Sequence, residues 1–227
     1  MNKILSIVVA LLVSTSGFAQ ETQTRNIGQF TGVKVAEGID VYLIKGDKES
    51  AKVEVYGTSI QNVITEVSGS YLKVHMRDGN YKGRIEAKVY VTYTKLDKLS
   101  ASSAGNIYSQ GVIKTSTLEV GSSSAGTIEI EVDAGEVEIS ASSAGEIEIK
   151  GTAKSLTADA SSAGEIDAYD LEVESVVVEA SSAGSIKVNV KDALSANASS
   201  GGSIRYRGNP SKSITNSSSG GSVKKSS

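Results

Sequence analysis

Ser161-Ser162-Ala163-Gly164 is one of five copies of a four-residue phrase that recurs through the C-terminal half of this chain. The other four copies close at Gly105, Gly126, Gly145 and Gly184, and two degenerate Ser-Ser-Gly-Gly copies close at Gly202 and Gly221. The steps between the closing glycines are 21, 19, 19, 20, 18 and 19 residues. A fixed period of this size indicates an architecture of stacked structural repeats.

Alignment of the copies on the closing glycine predicts which side chains point inward. Residues that share one parity lie on the same side of an extended chain. In one copy the inward row is Leu156, Ala158, Ala160, Ser162, Gly164, Ile166, Ala168. Side-chain size falls to nothing at the glycine and then rises, as a narrow corner requires, and glycine also permits backbone angles closed to other residues. The predicted structural corners are Gly105, Gly126, Gly145, Gly164, Gly184 and Gly202.

The repeat length matches one turn of a solenoid. About 19 residues at roughly 3.3 Å each give a perimeter near 60 Å, and parallel pairing stacks such turns about 4.8 Å apart. We therefore predict an all-β fold, a single-stranded parallel β-helix over residues 99–227. Residues 30–98 alternate with period two in short runs between turn residues, which predicts irregular strands within the same domain. Residues 20–29 are polar and are expected to form a flexible lead-in.

The first nineteen residues have the features of a secretory signal peptide. Lys3 gives a positive start, Ile4 to Val13 form an apolar core, and Gly17 and Ala19 are the small residues of a cleavage site before Gln20. No later segment is apolar enough to span a bilayer. The expected location is the periplasm, the outer surface or the extracellular medium.

Composition excludes several classes of function. The formal net charge is −3 without a Lys/Arg cluster, so nucleic acid is not an expected partner. The chain has no Cys and a single histidine, His75, whose place in an alternating run predicts an exposed strand position. A zinc site or a Ser-His-Asp triad would need unusual ligands. We predict no cofactor and no catalytic residue.

The outward columns are where binding residues are expected. Three residues after each glycine the chain places Tyr108, Glu129, Glu148, Asp167, Lys187, Arg205 and Lys224. Stacked acids repel one another unless they are screened or bridged, so Glu129, Glu148 and Asp167 form a weak Ca²⁺ candidate. The same acids could instead serve a polysaccharide lyase or hydrolase, or simply form a solvated surface.

Two further stretches give the sequence a specific resemblance. The chain opens with Phe30-Thr-Gly-Val-Lys-Val and Gly38-Ile-Asp-Val-Tyr-Leu-Ile-Lys-Gly, and continues through Leu96-Asp-Lys-Leu-Ser-Ala-Ser-Ser-Ala-Gly-Asn-Ile into the repeats. From Phe30 to Val223 it resembles the putative auto-transporter adhesin head GIN domain family, formerly a domain of unknown function, common in exported Bacteroidetes proteins. The resemblance implies a β-helical fold and a cell-envelope or extracellular location.

Together these observations predict an exported, non-catalytic module that binds or scaffolds at the cell envelope. The expected partners are glycans or envelope and surface proteins, because a solenoid presents a long regular surface to extended partners. The alternative is a carbohydrate-active enzyme that uses the acidic column.

Overall fold

The fold is a β-solenoid, as the repeats predict. The computed structural model describes residues 20–81 and 83–226, so the predicted signal peptide lies outside the described residues. Its elements are sixteen strands and one 3-10 turn, Ile60–Asn62. The strands are β1 (Glu21–Asn26), β2 (Gly32–Val35), β3 (Asp40–Lys45), β4 (Ser50–Tyr56), β5 (Val63–Ser68), β6 (Tyr71–Met76), β7 (Glu86–Tyr93), β8 (Lys98–Ala101), β9 (Asn106–Ser122), β10 (Thr127–Ala141), β11 (Glu146–Ala160), β12 (Glu165–Ala180), β13 (Ser185–Ala198), β14 (Ser203–Gly208), β15 (Lys212–Ser217) and β16 (Ser222–Lys225).

Each coil of the regular part is one long bent strand closed by a tight turn. Strands β9 to β13 pair in parallel with the strand of the next coil, in sequence order. We call the half of a coil that follows the turn glycine its first leg, and the half that leads to the next turn its second leg. Between β10 and β11 every paired position is nineteen residues apart, from Thr127 with Glu146 to Ala141 with Ala160. Inward residues therefore stack on inward residues, and outward residues on outward residues.

The turn itself is a type I′ turn built from residues that rarely form one. In the copy at Ser161 the second serine and the alanine have φ of 49° and 61°, and the Gly164 amide donates to the Ser161 carbonyl at 2.8 Å. Two consecutive residues with positive φ define this turn type, which usually contains Asn or Gly. Each alanine amide also donates to the carbonyl of the second serine in the next coil, as Ala163 does to Ser182 at 3.1 Å. This ladder of turns holds the strained conformation in place.

The turn geometry corrects two details of the sequence interpretation. Ser162, predicted to point inward, is exposed at the tip of the turn, while Gly164 is buried. Gly164 is not among the residues with positive φ, so it does not supply a special backbone angle. Its role is the narrow corner, because an added Cβ would lie 2.3 Å from the carbonyl oxygen of Ala141. The glycine lets successive coils approach.

We expect glycine at the alanine position of the turn to stabilise the solenoid. A non-glycine residue in the left-handed region costs about 1–2 kcal/mol, and glycine loses about 0.5–1 kcal/mol to unfolded-chain entropy. The last two turns already have glycine there, Gly201 and Gly220, with φ of 77° and 79°. At about 0.5–1 kcal/mol per site, A144G/A163G/A183G should raise the free energy of unfolding by about 1.5–3 kcal/mol in urea titration. Ala160→Gly, at a buried position outside the turn, should lower it. A triple variant less stable than wild type would contradict the strain argument.

The interior is a continuous aliphatic ladder. Ile107, Ile128, Ile147, Ile166 and Ile186 stack in register at the start of successive first legs, and each is 0% exposed. The small residues that precede the turns, such as Ala141 and Ala160, are buried beside the corner. In the ladder of small residues Ser122 replaces alanine, and its hydroxyl donates to the Gly126 carbonyl at 2.6 Å. The predicted inward column is therefore the core, apart from the second serine of each turn.

Antiparallel strands close the N-terminal end of the solenoid. The flexible lead-in expected at 20–29 is wrong for residues 21–26, because they form β1, which pairs antiparallel with β4. Strand β4 in turn pairs antiparallel with β7, and β5 with β6. From β1 the Arg25 guanidinium donates to the carbonyls of Val63 and Ile60 at 2.6 and 2.8 Å. This contact ties the two edges together, and the reversed strands end the parallel stacking.

The C-terminal coil ends the solenoid with polar residues. Every residue of β15 is exposed, and its inward positions are Ser213, Thr215 and Ser217, paired with buried residues of β13. Strand β16 pairs with β14 and is only partly covered. Polar side chains at an open end tolerate water and discourage edge pairing.

Candidate binding face

The outward side chains of the first legs form one continuous surface, which we call the first-leg face. It begins on β1 and β4, crosses β7 and β3, and continues over β9, β10, β11, β12, β13, β14 and β16. Alternation along each strand sends every second residue outward, and parallel registration places equivalent residues above one another. A line of aligned side chains therefore runs along the whole solenoid.

Three stacked tyrosines occupy the N-terminal part of this face. We call Tyr90, Tyr42 and Tyr108 the tyrosine row. The ring centroids are 5.1 Å apart between Tyr42 and Tyr90 and 5.3 Å apart between Tyr42 and Tyr108, with interplanar angles of 19° and 25°. All three tyrosines are half-buried, so part of each side chain is accessible to solvent. Lys52 continues the row, with its ammonium 5.2 Å from the Tyr90 ring centroid.

Polar groups surround the tyrosine row. The Asn106 side-chain amide donates to the Asp40 carboxylate at 2.8 Å, beside Tyr108 and Tyr42. Partial burial raises the pKa of the Tyr108 hydroxyl, and the carboxylates of Asp40 and Glu129 raise it further. The hydroxyl therefore stays protonated at neutral pH and can donate a hydrogen bond to a ligand.

Sequence analysis identified Tyr108 but missed the two tyrosines that extend it. A signal for them existed in the triplet of polar residue, aliphatic residue and tyrosine, which occurs at Asp40-Val41-Tyr42, Lys88-Val89-Tyr90 and Asn106-Ile107-Tyr108. The register of β3 against β9 and of β7 against β3 brings the triplets together. That register joins segments dozens of residues apart and could not be read from the nineteen-residue period.

Charged residues occupy the rest of the first-leg face in a fixed order. We call Glu129, Glu148, Asp167, Lys187, Arg205 and Lys224 the charge column; they are consecutive partners in the parallel ladders. At its centre the Lys187 ammonium lies 2.8 Å from Asp167 and 3.2 Å from Glu165. These carboxylates raise the pKa of Lys187, the hydrogen bond to Asp167 having the larger effect.

The three acids of the calcium candidate are aligned, but they are not clustered around one point. Glu129, Glu148 and Asp167 do stand in one column, as predicted. Asp167 is engaged by Lys187, and the described part of the chain has no group of three or more His, Cys, Asp or Glu side chains placed to hold a metal ion. Calcium binding by these acids stays a prediction.

An irregularity in β9 makes a shallow depression beside the charge column. Ser109, Gln110 and Gly111 stand opposite the single residue Ile130, because the register against β10 shifts there. The Ser109 hydroxyl accepts a hydrogen bond from the Glu131 amide at 2.9 Å. The depression has a volume of about 170 Å³ and includes Tyr108, Glu129 and Glu148. This volume is below the roughly 300–1,000 Å³ of typical small-molecule pockets. The depression is therefore too small to hold a ligand by itself and forms part of a larger surface.

His75 and the corner glycines, which the sequence also singled out, lie away from the first-leg face. His75 is half-buried on β6, opposite the buried Leu72, Val74 and Met76, and its Nε2 lies 3.8 Å from Glu66. The corner glycines form the inner edge of the turn ladder and contact the backbone of the preceding coil. None of these residues lies on the first-leg face.

Comparison with known proteins assigns the chain to a family. The family described as "Putative auto-transporter adhesin, head GIN domain" matches residues 29–210. The chain belongs to this family. The family extends over both the irregular and the regular coils, as the resemblance implied. No match is found among curated proteins.

Solved structures share the fold of this GIN-domain protein at low sequence identity. A putative adhesin from Bacteroides fragilis is 18% identical, with a TM-score of 0.80 over 92% of this chain and 97% of that one. A putative adhesin from Parabacteroides merdae is 17% identical, with a TM-score of 0.75 over 92% and 96%. A putative lipid binding protein from Parabacteroides distasonis is 21% identical, with a TM-score of 0.71 over 92% and 97%. At these identities the likeness establishes the fold.

The described residues also include no helix of the length and apolarity needed to cross a bilayer.

Proposed function

We propose that this GIN-domain protein is an exported, non-catalytic adhesin that holds an extended glycan along its first-leg face. The observation that carries the proposal is the tyrosine row, three half-buried rings in register on an open sheet with the Asp40–Asn106 pair beside them. Tyrosine combines an apolar ring with a polar tip and is enriched at binding surfaces. Family membership supports the adhesin role, and the signal-peptide pattern supports export.

The shape of the face favours an extended partner. Along the tyrosine row the outward rings repeat at the coil spacing, about 4.8 Å, so a polymer can make the same contact with three successive rings. Many weak contacts of this kind add up through avidity. A protein strand or loop from the envelope is the other partner that such a surface could hold.

The binding proposal is tested with Y42S, which removes the middle ring of the row. Wild-type residues 20–227 are applied to an array of neutral and acidic polysaccharides and to envelope fractions of a Bacteroidetes culture. We expect glycan binding in the wild type and at least a tenfold loss in Y42S, with a smaller loss in Y42F. Tyr71, also half-buried but outside the first-leg face, supplies the control Y71S, which should bind like wild type.

Three outcomes of that experiment would contradict the proposal. Wild type that binds no polysaccharide sinks the glycan assignment, and binding only to envelope protein would replace it with a protein partner. Equal losses in Y42S and Y71S would mean that the tyrosine row is not the site. Thermal unfolding of each variant separates lost binding from lost fold.

The non-catalytic part of the proposal has its own test. The acids of the charge column lie side by side on an open surface, whereas glycoside hydrolysis places two carboxylates on either side of the scissile bond. We expect no new reducing ends or unsaturated products from any polysaccharide that the protein binds. Product release that E129Q/E148Q/D167N abolishes would establish the enzyme instead.

A further inference from the structure

The charges of the solenoid are separated along its axis. Residues 127–180 contain 14 acidic and 2 basic residues, a net charge of −12, while residues 181–227 contain 1 acidic and 7 basic residues, a net charge of +6. Like charges stacked in register repel one another, so this arrangement costs stability within one molecule. Lys187 with Asp167 and Glu165, and Lys191 with Glu172, are ion pairs at the boundary between the two halves.

In the charge column the sign of the charge reverses at the midpoint. The column consists of three acids on β10, β11 and β12, followed by three bases on β13, β14 and β16. Consider a two-fold axis that runs parallel to the strands, in the plane of the contact and midway between β12 and β13. The second copy would then present the same column in the reverse order. An isologous contact requires a patch that is complementary to itself, and this column satisfies that requirement.

We propose that two copies of this chain associate through their first-leg faces as an antiparallel dimer. In this arrangement Glu129 of each copy faces Lys224 of the other, Glu148 faces Arg205, and Asp167 faces Lys187. All six contacts in the column then join opposite charges. The pairing does not depend on the proposed binding function.

The columns beside the charge column agree with the same axis. Glu146 would face Ser203, and Glu165 would face Ser185, so no acid meets an acid there. At the margin Lys150 would face Arg207, but Lys150 is directed to Glu131 at 3.6 Å and Arg207 stacks over the Tyr169 ring at 4.0 Å. The second-leg surface is not self-complementary in charge. An equivalent axis there would pair Val177 with Ser195 and Thr157 with Ile214, and none of these residues is charged.

The size of the contact sets the expected strength. Six strands about 4.8 Å apart and first legs of about five residues give a strip of roughly 24 by 17 Å, or about 800 Å² buried in total. That area is characteristic of a weak, transient association, and attraction between exposed charges is screened by salt. The tyrosine row lies beyond the charge column, so each end of the dimer would leave one row accessible and the dimer would be bivalent.

Sedimentation velocity of residues 20–227 tests the dimer. We expect concentration-dependent dimerisation in about 20 mM NaCl and monomers in about 500 mM NaCl, where the screening length falls severalfold. E148R and R205E should each abolish dimerisation, because each opposes like charges twice across the axis. Both substitutions relieve repulsion with neighbours in their own column, so neither should impair folding. E138R on the second-leg surface is the matched control and should dimerise like wild type.

The decisive measurement is the mixture of the two charge-reversal variants. Equimolar E148R and R205E should form a heterodimer, because position 148 of each variant then faces the opposite charge at position 205 of the other. The double variant E148R/R205E should likewise recover the homodimer. Wild type that stays monomeric at low salt, single variants that still dimerise, or a mixture that stays monomeric would each overturn the proposal.

Discussion

Gly164→Ala should unfold the solenoid at a much lower urea concentration than wild type, although it adds only one methyl group. An ideal Cβ at this position would lie 2.3 Å from the Ala141 carbonyl oxygen and 2.5 Å from its carbon. Both atoms are backbone, and this carbonyl accepts the Ser161 amide at 3.0 Å, so relief would require the coils to separate. We expect a loss of roughly 3 kcal/mol in the free energy of unfolding, at the upper end of overpacking effects.

The effect should be local to the corner. Hydrogen exchange should show reduced protection around Ser161 and Ala141, since solenoids unfold by neighbouring repeats. Gly121→Ala is the matched control, because its Cβ would meet only the Ser140 hydroxyl at 3.4 Å. Equal stability losses in G164A and G121A would contradict the explanation by close coil approach.

Ile166→Asp should have the largest effect of any single substitution considered, and should prevent folding. Ile166 is 0% exposed and stacks between Ile147 and Ile186. The substitution removes an aliphatic side chain and buries a carboxylate without a partner; losses of this kind exceed about 4 kcal/mol. We expect the far-UV circular dichroism of the variant to lose its β signature, or the protein to be insoluble.

A charge on the outward side of the same region should be harmless. Ser195 is exposed on β13, between Val177 and Ile214 in the parallel ladder, and no acid flanks it there. Ser195→Asp should therefore change the free energy of unfolding by less than about 0.5 kcal/mol. An I166D variant as stable as S195D would mean that the isoleucine ladder is not the core.

The sequence predicts the regular coils well because one physical constraint repeats. Every coil must bury the same positions, so Ile147, Ile166 and Ile186 reappear at the same distance from the glycine. The second serine was misplaced because strict alternation was carried through the turn. A two-residue type I′ turn interrupts that alternation, and Ser162 then points to solvent.

The N-terminal part could be predicted as strands but not as a cap. Alternation identifies a strand, yet it contains no information on whether the partner runs parallel or antiparallel. The antiparallel pairing of β1 depends on β4 and on Arg25, which reaches Ile60 and Val63 from more than thirty positions away in the sequence. Polarity alone suggested a flexible segment, whereas hydrogen bonding to an exposed sheet edge orders it.

The sequence predicted the charge column of the candidate site but not its tyrosine row. The charge column has one member in each regular coil, so alignment of the repeats finds it. The tyrosine row draws Tyr42 and Tyr90 from coils without the repeated phrase, and its assembly depends on strand register. The order of the charges is self-complementary only if the six residues form one straight column. The sequence alone does not show that they do.

The unbroken nineteen-residue register between β10 and β11 has a consequence for how such proteins evolve. Duplication or deletion of one whole coil would rejoin the chain at equivalent positions and preserve every inward and outward assignment. Insertion of a single residue within a leg would reverse the two faces for the rest of that leg. The length of the solenoid can therefore change in discrete steps of one coil, while its cross-section is held constant. Each such step would also move the midpoint of the charge column, so a change in length alone would alter which copies can pair.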